Sequence, residues 1–236
     1  MPRRAPFIVI EGLDRSGKTT QTSLLHSHLE SLKISTKLLK FPDRTTAIGK
    51  MIDSYLRSQS ELDDHAIHLL FSANRWELAP TITSLLTSGT LVLCDRYAFS
   101  GIAFSAAKPS LRATFPSTEN DALLWCRAPD ISLPAPDLTI FLDITPDQAK
   151  LRGGYGEERY EKEEMQKRVR EVFHRLGEEM SSPVDGVNDS KDKRWVVVDA
   201  GREREVVARE LWQLVEPLIE GVDEEVGRLW ENNLNS

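Results

Sequence analysis

The chemistry-bearing residues begin at Gly12-Leu13-Asp14-Arg15-Ser16-Gly17-Lys18-Thr19-Thr20, a G-x-x-x-x-G-K-T spacing suited to gripping a polyanion. Gly12 and Gly17 let the backbone curl so that successive N–H groups point inward, and Lys18 adds a point charge for β and γ phosphates. Thr19 offers a hydroxyl to Mg²⁺. The segment therefore implies a nucleoside triphosphate site. The alternative is a Gly-rich turn of purely structural use, which would not need both flanks that follow. The apolar run Phe7-Ile8-Val9-Ile10-Glu11 leads in as a strand, and Thr20, Leu24, Leu25, His28, Leu29 and Leu32 recur at helical spacing behind it. The loop thus sits at a helix N-terminus, where unpaired N–H groups and the helix dipole favour anions.

The elements that position this loop alternate along the chain. Short runs rich in Val, Ile, Leu or Phe read as strands at Phe7–Glu11, Thr36–Phe41, Leu91–Asp95, Leu138–Leu142 and Trp195–Val198. Helical patterns fall near Lys18–Lys33, Ile48–Leu56, Asp63–Ser88, Pro146–Arg152, Glu161–Met180 and Glu203–Glu220, with Pro80 expected to bend or split the third. Strand and helix in alternation predict a doubly wound, mostly parallel α/β sheet covered on both faces, and the apolar strands predict burial on both sides. Two polar stretches, 108–120 and 181–193, read as surface loops.

With 236 residues and 40% hydrophobic content, one α/β domain with a sizeable core is expected. The net charge of −7 argues against a dominant grip on long nucleic acid, which normally needs a basic face. No apolar run is long enough for a membrane span, no secretory core follows Met1-Pro2-Arg3-Arg4, and cysteines are confined to Cys94 and Cys126. A reducing, intracellular, cytoplasmic setting is expected, with a nuclear share left open. Both cysteines read as small core side chains. The histidines, His26, His28, His65, His68 and His174, lack zinc-ligand spacing and read as surface or helix-packing residues. The acidic run Asp223-Glu224-Glu225 reads as a solvated helix face.

Glu11 to Gln21 is joined, in order, by Phe41-Pro42-Asp43-Arg44 with Thr45-Thr46-Ala47-Ile48-Gly49, by Leu69-Leu70-Phe71-Ser72-Ala73-Asn74-Arg75-Trp76-Glu77, and by Asp95-Arg96-Tyr97-Ala98-Phe99-Ser100-Gly101. Pro136-Asp137-Leu138 and Glu158-Arg159-Tyr160-Glu161 complete the series. Together they resemble the thymidylate kinase family over nearly the whole chain. The resemblance implies a five-stranded parallel sheet of the P-loop nucleoside monophosphate kinase type. It also implies transfer of the γ-phosphoryl of ATP to dTMP with Mg²⁺, and a homodimer built through helices.

Phosphoryl transfer between two polyanions needs cations from several directions and exclusion of water, which explains the residue types. By resemblance, Arg15 inside the loop acts as an internal arginine finger beside Lys18, and Asp14 accepts a hydrogen bond from the acceptor's 3′-hydroxyl. Arg44 and Arg96 each follow a strand, and their guanidinium forks suit an acceptor phosphate. Asp95 ends Leu91-Val92-Leu93-Cys94-Asp95 where a Walker-B-like carboxylate stands, and the resemblance gives it, with Thr19, the Mg²⁺ ion. On spacing alone, Phe71 and Arg75 share a helix face and read as a core aromatic and a salt-bridged arginine. The motif match instead implies that Phe71 stacks on the base and Arg75 donates to a carbonyl on its edge. Ser100, Gly101, Phe104 and Tyr160 are implied around the base and deoxyribose.

Gly153, Gly154 and Gly156 favour a lid over about 152–160. By the same resemblance Arg152 is expected against the adenine, with the turn at Gly201 near its other side. Other pyrimidine monophosphate kinases, deoxynucleoside kinases and a non-enzymatic nucleotide switch remain rival readings. A switch has no need of a second, base-specific pocket.

Overall fold

The computed structural model describes residues 3–115, 119–152, 159–160, 162–181 and 195–231. Five parallel strands, β1 (Phe7–Gly12), β2 (Thr36–Lys40), β3 (Leu91–Asp95), β4 (Leu138–Asp143) and β5 (Trp195–Asp199), form one sheet in the order β2-β3-β1-β4-β5. The central strands are apolar because helices cover both their faces: Phe7, Ile8, Val9, Ile10, Val92, Leu93, Ile140, Phe141 and Leu142 have no exposed surface. The outer strands depart from expected burial. β2 and β5 are sheet edges whose Leu38 and Val197 reach solvent.

Register then decides which side chains meet. Ile10 is level with Asp95, Lys40 with Asp95, and Gly12 with Leu142. The carboxyl ends of β1, β2 and β3 therefore deliver the phosphate loop, Lys40 and Asp95 to one edge, the usual ligand side of an open parallel sheet.

The helices around it are α1 (Lys18–Ser31), α2 (Ala47–Leu56), α3 (Asp64–Thr87), α4 (Ala98–Ala106), α5 (Pro109–Thr114), α6 (Glu119–Arg127), α7 (Pro146–Lys150), α8 (Glu163–Ser181) and α9 (Arg204–Val215). Thr46 caps α2 by accepting from Gly49 N–H at 2.9 Å, and Asp63 caps α3 by accepting from His65 N–H at 2.9 Å. α3 is not split at Pro80, which lies on its exposed side, where water can serve the carbonyl that proline leaves unbonded. α4 carried no helical period because all nine of its residues are buried, leaving no polar face to mark the turns.

The polar stretch at 108–120 is not simply a surface loop: it holds α5, started by Pro109, and the first turn of α6. Lys108 before it is buried, its ammonium 2.7 Å from Asp64 and over the rings of Tyr55 and Tyr160. The acidic run at 223–225 is not helical. It follows Val222, which bridges to Arg4, and Asp223 pairs with Arg3. Most of the stretch at 181–193 and the glycines proposed as a lid, at 153–158, lie outside the described residues.

Candidate active site

β1 ends at Gly12, whose φ of 153° and lack of a side chain are both required: a Cβ there would come 2.7 Å from the Leu142 carbonyl oxygen and from Ser16 Oγ. Gly17, at φ 93°, opens α1. Between them Leu13 and Ser16 are buried, and the Leu13 carbonyl accepts from Lys18 Nζ at 2.5 Å. Burial of the Lys18 ammonium, reinforced by the nearby Arg96 charge, lowers its pKa to about 7. The loop thus holds a cation that is kept from water, placed where phosphate oxygens could meet it.

Asp14 carries two partners. One oxygen pairs with Arg96, and the other accepts from Gln166 Nε2 at 2.9 Å, while Gln166 Oε1 takes the Asp14 N–H at 3.2 Å. The same Gln166 amide donates to the Tyr160 carbonyl at 2.9 Å, so α8 ties the phosphate loop to the residues flanking the proposed lid. Gln166 left no signal in sequence; it lies far along the chain and only the fold brings it here. Arg15 holds φ 63°, and its carbonyl accepts from Arg152 at 3.2 Å. Arg152 also donates to the Ala200 carbonyl, next to Gly201, so these two expected adenine neighbours meet at the flank of the loop.

At the end of β3, Thr19 Oγ1 donates to Asp95 Oδ2 at 2.7 Å, and Lys40 Nζ stands 3.8 Å from the same oxygen. Lys40 was missed, although its place as the last residue of a strand parallels that of Asp95. Asp95 Oδ1 is buried without a hydrogen-bond partner among the described residues. A hydroxyl beside a carboxylate with an unsatisfied hard oxygen is a donor set that fits Mg²⁺. Thr19 and Asp95 would hold the ion, which would offset charge on the phosphate oxygens.

Arg96, at φ 68°, donates to the Gly12 carbonyl at 2.9 Å and to Ser100 Oγ at 3.0 Å, with its guanidinium 5.1 Å from the Phe104 ring centre. Ser100 is fixed in turn by Glu11, a carboxylate without exposed surface that accepts from Tyr97 N–H at 2.9 Å, Ser100 N–H at 3.0 Å and Ser100 Oγ at 2.5 Å. Burial raises the Glu11 pKa, against the pull of those donors. Glu11 serves the unbonded N–H groups at the start of α4; the sequence signal was an acid ending an apolar strand.

Arg44 pairs with Asp53 at 2.7 Å, so its loop holds a charged fork beside the cavity. That loop is set by Asn74, fully buried on α3, which takes the Asp43 N–H at 2.7 Å and donates to the Asp43 carbonyl at 3.2 Å. One turn of α3 places Phe71 and Arg75 on the cavity wall, which Phe104 and Tyr160 also line, their rings 5.6 Å apart.

The structure brings these groups around one cavity of about 450 Å³. Asp14, Arg15, Gly17, Lys18, Thr19, Thr20 and Asp95 line it together with Arg44, Phe71, Arg75, Arg96, Ser100, Gly101, Phe104 and Tyr160. Gly12, Leu13 and Ser16 shape the loop from behind, and Arg152 and Gly201 stand outside the lining. A phosphate loop sharing one cavity with an aromatic, a buried arginine and two further guanidiniums, on this sheet order, defines a P-loop nucleoside monophosphate kinase.

The particular family follows from comparison with known proteins. The family model "Thymidylate kinase" matches residues 10–211, and the chain belongs to the thymidylate kinase family. It is 43% identical to thymidylate kinase of Danio rerio, over 97% of this chain and 98% of the relative, and 41% identical to that of Homo sapiens, over 97% and 99%. Over 75% of this chain and 79% of the relative it is 54% identical to the Schizosaccharomyces pombe enzyme. A solved structure of thymidylate kinase from Candida albicans superposes with a TM-score of 0.80 at 38% identity, covering 97% of this chain and 99% of that one.

Proposed function

We infer that this protein is a dTMP kinase, transferring the γ-phosphoryl of ATP to dTMP to give dTDP and ADP in thymidine nucleotide synthesis. What carries the reading is a cavity lined both by the phosphate loop and by an aromatic and guanidinium set that includes Phe71, Arg75 and Arg96. Family membership supports the same reaction and both substrates.

In the proposed mechanism, Lys18 and the N–H groups of the loop hold the β and γ phosphates, and Arg15 meets charge spreading over the transferring group. Arg44 and Arg96 exchange their carboxylate partners, Asp53 and Asp14, for oxygens of the acceptor phosphate. Each guanidinium is thus kept in place before substrate arrives. Mg²⁺ on Thr19 and Asp95 supplies charge neutralisation when bound. The acceptor phosphate is already largely deprotonated, so no general base is needed. Phe71 stacks on the pyrimidine, Arg75 donates to its carbonyl at the 4-position, and Phe104 crowds the ribose 2′ position.

Leu69 and Trp76 on α3 and Leu124 on α6 are exposed apolar side chains, and we assign them to a homodimer face. We propose a cytoplasmic location, with a nuclear share left open. Release of ADP from ATP and Mg²⁺, measured with dTMP, dUMP, dCMP, AMP and thymidine as acceptors, tests the function. A marked preference for dTMP is expected. Preference for dCMP, AMP or thymidine would remove the specificity, and ATP binding without turnover on any acceptor would favour a nucleotide switch.

A further inference from the structure

Arg75 is 2% exposed, and a guanidinium taken that far from water must be neutralised. Its partner is Asp130, which has no exposed surface and does not line the cavity. Arg75 Nε donates to Asp130 Oδ1 at 3.1 Å and NH2 donates to Oδ2 at 2.6 Å, the side-on bidentate arrangement that fixes the guanidinium plane. Asp130 is itself held, with Ser72 Oγ 2.7 Å from Oδ1. The turn that carries it is clipped to α3 through the Pro129 carbonyl, which accepts from Trp76 Nε1 at 2.8 Å.

With Nε and one edge of NH2 committed to Asp130, the remaining edge of the fork faces Gly101. A Cβ at Gly101 would lie 2.7 Å from both NH1 and NH2, so only a glycine can pack against that edge, and both residues line the cavity. Among the described residues, no protein group takes a hydrogen bond from NH1.

We propose that Asp130 is a specificity-determining positioning residue: it never touches the nucleotide but holds Arg75 so that NH1 donates toward the pyrimidine 4-position. The inference rests on the reading of Arg75 as the base-recognising group. A carbonyl at the 4-position, as in thymine and uracil, accepts from this fork. The amino group of cytosine sets donor against donor, and the locked plane denies the guanidinium an escape. Without Asp130 the fork is free to turn aside, and discrimination falls with it. An asparagine at 130 keeps the shape but offers one oxygen and an N–H₂ where two oxygens stood, so one Arg75 donor is opposed.

The test compares kcat and KM for dTMP and dCMP in the wild type, Asp130→Asn and Arg75→Met, with folding checked by circular dichroism and thermal melting. In Asp130→Asn the dTMP-over-dCMP ratio of kcat/KM is expected to fall about tenfold or more, chiefly through KM for dTMP. A merely structural role would weaken both acceptors alike and leave the ratio in place. A folded Asp130→Asn with an unchanged ratio, beside an Arg75→Met that loses it, overturns this proposal alone. An unchanged ratio in Arg75→Met overturns the base-recognition reading and this proposal with it. If Asp130→Asn does not fold, Ser72→Ala, which strips one donor from the carboxylate, replaces it. There a fall of about threefold supports the proposal and an unchanged ratio refutes it.

Discussion

Lys18→Met should stabilise the ligand-free protein while destroying its activity. The ammonium has an ordinary pKa of 10.5 and, buried in the loop beside Arg96, one of about 7. The unfolded chain therefore holds a proton there that the folded chain gives up between about pH 7 and pH 10. The penalty on the folded state is complete below pH 7 and fades as pH rises toward 10.5, the reverse of a lysine stabilised by a partner. At about pH 7.5 the two values correspond to about 4 kcal/mol, and at about pH 10 to about 1 kcal/mol. Methionine keeps the length and packing but forfeits the bond to the Leu13 carbonyl, returning about 1 kcal/mol. The net gain of about 3 kcal/mol at neutral pH should raise the melting temperature by about 5–10 °C. Scanning fluorimetry without nucleotide, at about pH 7.5 and pH 10, reads both the rise and its loss. Turnover should fall by about 100-fold or more, because the displaced charge served the transferring phosphates. A variant melting at or below wild type at neutral pH, or a gap that does not narrow by pH 10, would refute the reasoning.

Gly101→Ala drives a Cβ to 2.7 Å from the Arg75 fork and should raise KM for dTMP by about tenfold while leaving KM for ATP near wild type, read from initial rates. His68, buried among α3, α4 and α6 and beside the Arg75 charge, has its pKa lowered from 6.5 to about 3. The unfolded chain alone takes up this proton below pH 6.5, so stability should drop by about 2 kcal/mol between about pH 7 and pH 5 in urea titrations. His68→Gln should be flatter over that range. Asp95→Asn removes a charge from the Thr19 corner and should shift half-maximal activity in a Mg²⁺ titration to higher concentration, with a rate loss of about 100-fold.

The phosphate loop and the central strands were legible because each is a local pattern: a fixed spacing of glycines and lysine, and apolar runs of strand length. Phe71 and Arg75 were placed through a motif match, since spacing alone favours a core aromatic and an ion-paired arginine. Arg75 indeed proves to be ion-paired while still lining the cavity. The unseen parts are those that other elements determine. α4 is buried all round, so its sequence has no polar period to read. Gln166 and Asp130 act through partners more than fifty residues away, at Asp14 and Arg75, and a single sequence carries no mark of such pairing. Asp137, part of the matched Pro136-Asp137-Leu138 run, is structural: its carboxylate pairs with Arg4 at 2.7 Å and accepts from Phe7 N–H at 2.8 Å.

The most direct test of phosphoryl transfer to dTMP uses ATP radiolabelled in its γ-phosphate, with Mg²⁺ and dTMP, and separates the products chromatographically. Label should appear in dTDP, one for each ADP formed, and Lys18→Met should form it about 100-fold more slowly or slower still. ADP formed without labelled dTDP, or label released as inorganic phosphate, would mean that water rather than dTMP accepts the group and would contradict the kinase assignment.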